Sequence, residues 1–258
     1  MCSEHVIEVN NIQKAFATKK VVRSVSLAVS KGEIFALLGP NVAGKTTLLK
    51  MMTTLLRPDS GTITLNGFDT ITQSRQVRQQ FSVTNQTAAI DQDLSARENL
   101  RLFGRLNGLS AKASRTRANE LLTDFDLNQS ADQTLATFSG GMRRRLDLAV
   151  SLVGKPRMLF LDEPTTGLDP RTRTQMWHAI QKLVADGSTV FLTTQYLEEA
   201  DQYADRIALI DHGQLIASGS PSVLKAQVGG QQLQLTIANQ QQVTQAQTIC
   251  ETVLQQPV

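Results

Sequence analysis

Short apolar runs rich in β-branched residues recur along the chain: Val6-Ile7-Glu8-Val9, Ile34–Leu38, Ile63-Thr64-Leu65, Met158-Leu159-Phe160-Leu161, Thr189-Val190-Phe191-Leu192-Thr193 and Ile207-Ala208-Leu209-Ile210. Several are apolar throughout rather than alternating, which is the pattern of strands covered on both faces in a largely parallel sheet. Asn66-Gly67, behind Thr62-Ile63-Thr64-Leu65, signals a tight turn at a strand end. The early strands therefore read as antiparallel and the later ones as a parallel, helix-covered core. Between Ser95 and Val153 the spacing becomes helical, through Leu100, Leu102, Phe103 and Leu106, then Leu121, Leu122 and Phe125. Ser139 is placed to cap a helix over residues 144–153. Gly154-Lys155-Pro156 then stops it, with glycine in the left-handed cap and proline unable to continue. The pattern predicts an α/β fold with a mostly parallel sheet, an N-terminal antiparallel β subdomain and a helical subdomain inserted over about residues 90–153.

After Gly229 the composition shifts to glutamine, with one apolar alternation, Leu233-Gln234-Leu235-Thr236-Ile237. Such a stretch cannot build its own core. The expected organisation is a domain over residues 1–228 and a glutamine-rich appendage over 229–258. The 41% hydrophobic content suffices for a sizeable core, and no run approaches the roughly 18 apolar residues of a membrane span. Met1-Cys2-Ser3-Glu4-His5 lacks the basic-then-apolar pattern of a secretory signal. Cys2 and Cys250 give no disulfide or zinc framework, which fits a reducing compartment. A net charge of +3 gives no argument for a nucleic-acid partner. The expectation is a cytoplasmic domain whose membrane role needs a separate partner chain.

Three phrases carry the chemistry. Gly39-Pro40-Asn41-Val42-Ala43-Gly44-Lys45-Thr46-Thr47 lies between an apolar strand and an apolar-rich helix start, the context a phosphate loop requires. Backbone amides there wrap phosphate oxygens, and the helix N-terminus adds its positive end. Lys45 would reach the β- and γ-phosphates, and the Thr46 hydroxyl would ligand Mg²⁺. Asp162 ends the strand Met158-Leu159-Phe160-Leu161 as the second metal anchor, and adjacent Glu163 is the candidate general base for the attacking water. Two neighbouring carboxylates repel unless a cation is near. Between these phrases stands Ser139-Gly140-Gly141-Met142-Arg143-Arg144-Arg145. Arginines in a first helical turn oppose the macrodipole by about 0.3–1 kcal/mol each, a cost understandable if phosphate or an acidic surface approaches.

From about Val6 to Val228 this order of motifs resembles the nucleotide-binding subunit of ATP-binding cassette (ABC) transporters, on a P-loop NTPase core. The resemblance implies that Ser139, Gly140, Gly141 and Met142 form the signature closing on ATP held by a partner's phosphate loop. It also implies that Phe16 stacks on adenine, that Gln86 contacts Mg²⁺ and the transmembrane partner, and that Asp169 lies in a D-loop at the dimer seam. The wording around the signature, and Thr194-Gln195-Tyr196-Leu197-Glu198-Glu199-Ala200-Asp201, is similar to daunorubicin-resistance exporter ATPases. The implied function is ATP hydrolysis, with ATP and Mg²⁺, powering export of a hydrophobic compound. The implied assembly is a head-to-tail homodimer beneath a separate permease, at the cytoplasmic face of the membrane. A regulatory cassette with little hydrolysis and a soluble ABC-type ATPase acting on ribosomes or DNA are the rivals.

Two positions depart from the family pattern. Val42 stands where most such loops carry glycine, so a positive φ would strain it, and weaker ATP binding or slower turnover is expected. Gln195 replaces the usual switch histidine; it can hydrogen-bond phosphate or water but cannot become cationic near neutral pH. His5, His178 and His212 show no metal-ligand spacing.

Overall fold

The computed structural model describes residues 5–84 and 90–228. Its strands are β1 (His5–Phe16), β2 (Lys19–Ser30), β3 (Ile34–Leu38), β4 (Ser60–Leu65), β5 (Phe68–Asp69), β6 (Phe81–Thr84), β7 (Met158–Asp162), β8 (Thr189–Thr194), β9 (Arg206–Asp211) and β10 (Gln214–Gly219). The helices are α1 (Lys45–Met52), α2 (Ser74–Arg78), α3 (Ala96–Leu106), α4 (Ala111–Asp124), α5 (Gly140–Ser151), α6 (Pro170–Ala185), α7 (Leu197–Tyr203) and α8 (Pro221–Val228). Contacts divide the chain into Met1–Leu224 and Lys225–Val258. The glutamine-rich segment from Gly229 and Gln86, expected to contact Mg²⁺ and the transmembrane partner, both lie outside the described residues.

The predicted fold class holds. A four-stranded antiparallel sheet has the order β2-β1-β4-β5, and a six-stranded sheet has the order β10-β9-β3-β8-β7-β6. In the second sheet β6, β7, β8, β3 and β9 run parallel, with β10 returning antiparallel beside β9. Successive side chains of a strand point to opposite faces. On β3, Phe35 and Leu37 enter one core with α1 and the antiparallel sheet, while Ile34, Ala36 and Leu38 enter the other, against the helices. β7 and β8 divide the same way, with Phe160 and Phe191 on the first side and Leu159, Leu161, Val190 and Leu192 on the second. That two-sided burial explains the unbroken apolar runs.

β1 continues well past Val9, and β2 has no counterpart among the runs noted in the sequence. The reason is a change of parity. Ile7, Val9 and Ile12 are all buried on β1, as are Val22 and Val25 on β2, so alternation breaks between them. The break coincides with register shifts on both sides of Ile12 and with left-handed residues at Asn11 (φ 50°) and Ser24 (φ 54°). A bulge of this kind sends consecutive stretches of one strand to the same face.

The helical block also differs in detail from expectation. α3 buries Ala96, Asn99, Leu100 and Gly104, leaving Leu102 and Leu106 exposed at 41% and 72%. α5 begins at Gly140 rather than Arg144, and Ser139 caps it by accepting from the Met142 amide at 3.3 Å. At its far end Lys155, not Gly154, takes the left-handed turn (φ 49°). Among the described residues no helix is long and apolar enough to cross a membrane.

Candidate functional site

β3 delivers the chain to the phosphate loop at the C-terminal edge of the parallel sheet, and α1 leaves from it. The loop's glycines have distinct reasons. A Cβ at Gly39 would stand 2.2 Å from the carbonyl oxygen of Ile210 on β9, so no side chain fits there. Gly44 caps α1 at φ 104°, a region open to glycine. Val42 is left-handed as well, at φ 64°, with its side chain 91% exposed. The positive φ expected at this position is therefore present, on a β-branched residue.

Lys45 is buried at the first turn of α1. Its Nζ donates to the carbonyls of Gly39 (2.7 Å) and Pro40 (3.0 Å) and lies 3.2 Å from Glu163 Oε1. The Thr46 hydroxyl donates to Asp162 at 3.0 and 3.2 Å to the two carboxylate oxygens. β7 and β8 are in register at Asp162 and Thr193, and the Thr193 hydroxyl donates to Asp162 Oδ1 at 2.6 Å. The Glu163 amide donates to Thr193, to the carbonyl at 3.1 Å and the hydroxyl at 3.0 Å. Glu163 itself is left-handed, φ 45°. Thr193 thus orients both acids, a role not assigned from sequence; a hydroxyl in a fully buried strand, two residues before Gln195, was its signal.

A cavity of about 340 Å³ opens over this loop. Phe16, Lys19 and Val21 line one side, and the loop from Pro40 to Thr47 with Glu163 lines the rest. Phe16 is half exposed, and the Lys14 ammonium sits 5.7 Å from its ring centroid. Asp59 fixes that corner by accepting from Lys14 Nζ (2.6 Å) and the Ala15 amide (2.7 Å). Phe16, the loop, Lys45, Thr46, Asp162 and Glu163 are thereby brought together, with Lys19 a lining residue that sequence reasoning missed. Gln195, half-buried, occupies the bend after β8, next to the end of β7.

The signature is not part of this cavity. Gly141 lies near the Asp169 carboxylate and Thr172, an ideal Cβ on it standing 3.8 Å from each. Asp169 caps α6, accepting from the Thr172 amide (3.0 Å) and hydroxyl (2.6 Å), and the Thr172 hydroxyl foremost holds its carboxyl below the usual range. The three arginines have partners within the chain, contrary to the expectation that they await an anion. With α5 starting at Gly140 they fall beyond its first three positions, where the macrodipole cost fades. Arg143 donates to Ala136 O, and Arg145 to Phe125 O and Asp126 O. Arg144 donates to the carbonyls of Pro164 (3.2 Å), Asp162 (3.3 Å) and Glu163 (3.3 Å). Burial lowers the Arg144 pKa and pushes the neighbouring Asp147 up to about 6, with Arg144 pulling the latter back.

A strand–loop–helix with its lysine, a hydroxyl–carboxylate pair across it and a signature on an inserted helix define a nucleotide-binding ATPase of the cassette class. Comparisons with known proteins agree. The family model described as ABC transporter matches residues 22–166. Daunorubicin resistance ATP-binding protein DrrA3 of Streptomyces coeruleorubidus is 48% identical over 235 residues, covering 91% of this chain and 74% of the relative. Daunorubicin/doxorubicin resistance ATP-binding protein DrrA of Streptomyces peucetius is 48% identical over 243 residues, 94% of this chain and 74% of the relative. A Nod factor export ATP-binding protein I from Sinorhizobium fredii is 40% identical over 243 residues, 94% of this chain and 71% of the relative. A solved ATP-binding subunit of an ABC transporter superposes with TM-score 0.78 at 29% identity, covering 86% of this chain and 93% of that one. The chain belongs to the ABC transporter family, as an ATP-binding subunit and ATPase.

Proposed function

We propose that this chain hydrolyses ATP as one half of a head-to-tail homodimer and drives export of a hydrophobic compound through a separate membrane permease. The convergence of Lys45, Thr46 and Glu163 on one cavity, with Asp162 hydrogen-bonded to Thr46 behind it and Ser139 outside it, carries this reading. A site lacking its signature is completed by a second copy, and a two-fold pair yields two composite sites. Drug-resistance and Nod factor export relatives support export and a hydrophobic or lipid-like cargo. The working location is the cytoplasmic face of the membrane, held there by the permease.

Thr46 and Asp162 offer hard oxygen donors side by side, the donor type Mg²⁺ takes, and would hold the ion there. Magnesium held by these residues would supply charge neutralisation to the triphosphate. The chain's own residues do the rest. Lys45 exchanges its Glu163 contact for phosphate oxygens, which frees the Glu163 carboxylate to orient a water and take its proton. Phe16 stacks on the adenine, Gln195 hydrogen-bonds the γ-phosphate or the water, and Asp169 meets the partner at the seam. Gln86 carries the movement to the permease.

The test is steady-state hydrolysis by the purified chain with and without magnesium. The wild type turns over only with the metal, and Glu163→Gln loses turnover while still binding ATP. Equal turnover in wild type and Glu163→Gln would remove the assigned base.

A further inference from the structure

We propose that Arg144 is a positioning residue of the hydrolytic site, a clamp through which the signature helix holds Glu163 in place. It deepens the function proposed above and rests on Glu163 handling the water. Glu163 is a non-glycine residue at φ 45°, a conformation that persists where the surroundings over-determine it. Two elements, β8 and α5, hold it through the main chain. On β8, Thr193 accepts the Glu163 amide through both its carbonyl and its hydroxyl, at 3.1 and 3.0 Å. On α5, the Arg144 guanidinium donates to three successive carbonyls, those of Asp162, Glu163 and Pro164, at 3.2 to 3.3 Å. The peptide groups before and after Glu163 are therefore pinned, and its carboxylate is aimed by the main chain.

The choice of side chain also points this way. The nearby Asp147 and Asp162 carboxylates offset part of the charge of this half-buried guanidinium, while its hydrogen bonds reach three main-chain carbonyls around Glu163. The planar fork is a good device for geometry, because it fixes several acceptors at once. Arg144 lies five residues along α5 from Ser139, the residue assigned to the partner's ATP. One rigid helix thus joins the trans contact of one site to the water-handling acid of the other.

The experiment compares wild type, Arg144→Met and Arg144→Lys for kcat, KM for ATP and ATP-dependent pairing. Arg144→Met lowers kcat about 10- to 100-fold, the cost of an ångström-scale misplacement, while KM and pairing stay within about threefold. Arg144→Lys, which keeps a cation and a donor, recovers part of kcat. Unchanged kcat in Arg144→Met, or a loss of ATP binding in step with kcat, overturns the inference. Should Arg144→Met fail to fold, Arg144→Lys decides: a drop in kcat at constant KM supports the clamp, and wild-type kcat overturns it. A wild type unable to hydrolyse ATP fails the function above and takes this inference with it. An active wild type with an inert Glu163→Gln and an unaffected Arg144→Met sinks the clamp alone.

Discussion

Replacing Val42 by glycine isolates a backbone effect, because the side chain is 91% exposed and its loss leaves little packing to repair. The residue sits at φ 64°, where an L-residue is strained by about 1–2 kcal/mol, and β-branching places valine toward the upper end. Glycine removes that strain but enlarges the freedom lost on folding, at a cost of about 0.5–1 kcal/mol. The net is a stabilisation of roughly 1 kcal/mol, which for a domain of this size raises Tm by about 2–4 °C. Strain already present in the loop lowers fold stability, and the weaker ATP binding expected from sequence follows only if nucleotide adds to that strain. Differential scanning fluorimetry of wild type, Val42→Gly and Val42→Asn, with ATP titrations on each, separates the two. Both variants melt higher, asparagine being tolerant of left-handed φ, and their Kd for ATP stays within about threefold of wild type. A glycine variant that melts no higher, or binds ATP more than tenfold tighter, would refute the reasoning.

Asp147 titrates at about 6 in the fold against 3.8 ordinarily, burial being the main cause, so the native state holds this proton more tightly than the unfolded chain. Stability from this group is complete below about pH 4 and declines as pH rises to about 6, leaving a cost above that of about 1–2 kcal/mol after allowing for its residual exposure. Asp147→Asn therefore melts higher than wild type at pH 7.5 and equal to it near pH 4; an equal gain at both pH values contradicts the assignment. Phe16→Ala weakens ATP binding by about tenfold through lost stacking, measured by fluorescence titration, and unchanged affinity would take Phe16 out of the base site.

Much of this was legible because the physics was local. Ile34–Leu38 had to be covered on both sides, and a phosphate loop announces itself between a strand and a helix. Where two remote segments decide the outcome, sequence gave less. The parity change at Asn11 hid most of β1 and β2 because it depends on cross-strand register. Arg143, Arg144 and Arg145 read as awaiting an anion because the carbonyls they satisfy lie on other elements. Thr193 offered only a buried strand hydroxyl as a signal, and the acids it orients are set by the register of β8 beside β7. The site's residue types were written in the chain, while the contacts that aim them were not.

The most direct test of the composite site is the association state of Glu163→Gln by sedimentation velocity, with and without ATP and magnesium. The account predicts monomers without nucleotide, dimers with it, and monomers again when Ser139→Arg is added in the same chain. A folded protein that stays monomeric under every nucleotide condition, or that pairs equally well with arginine at position 139, would contradict it.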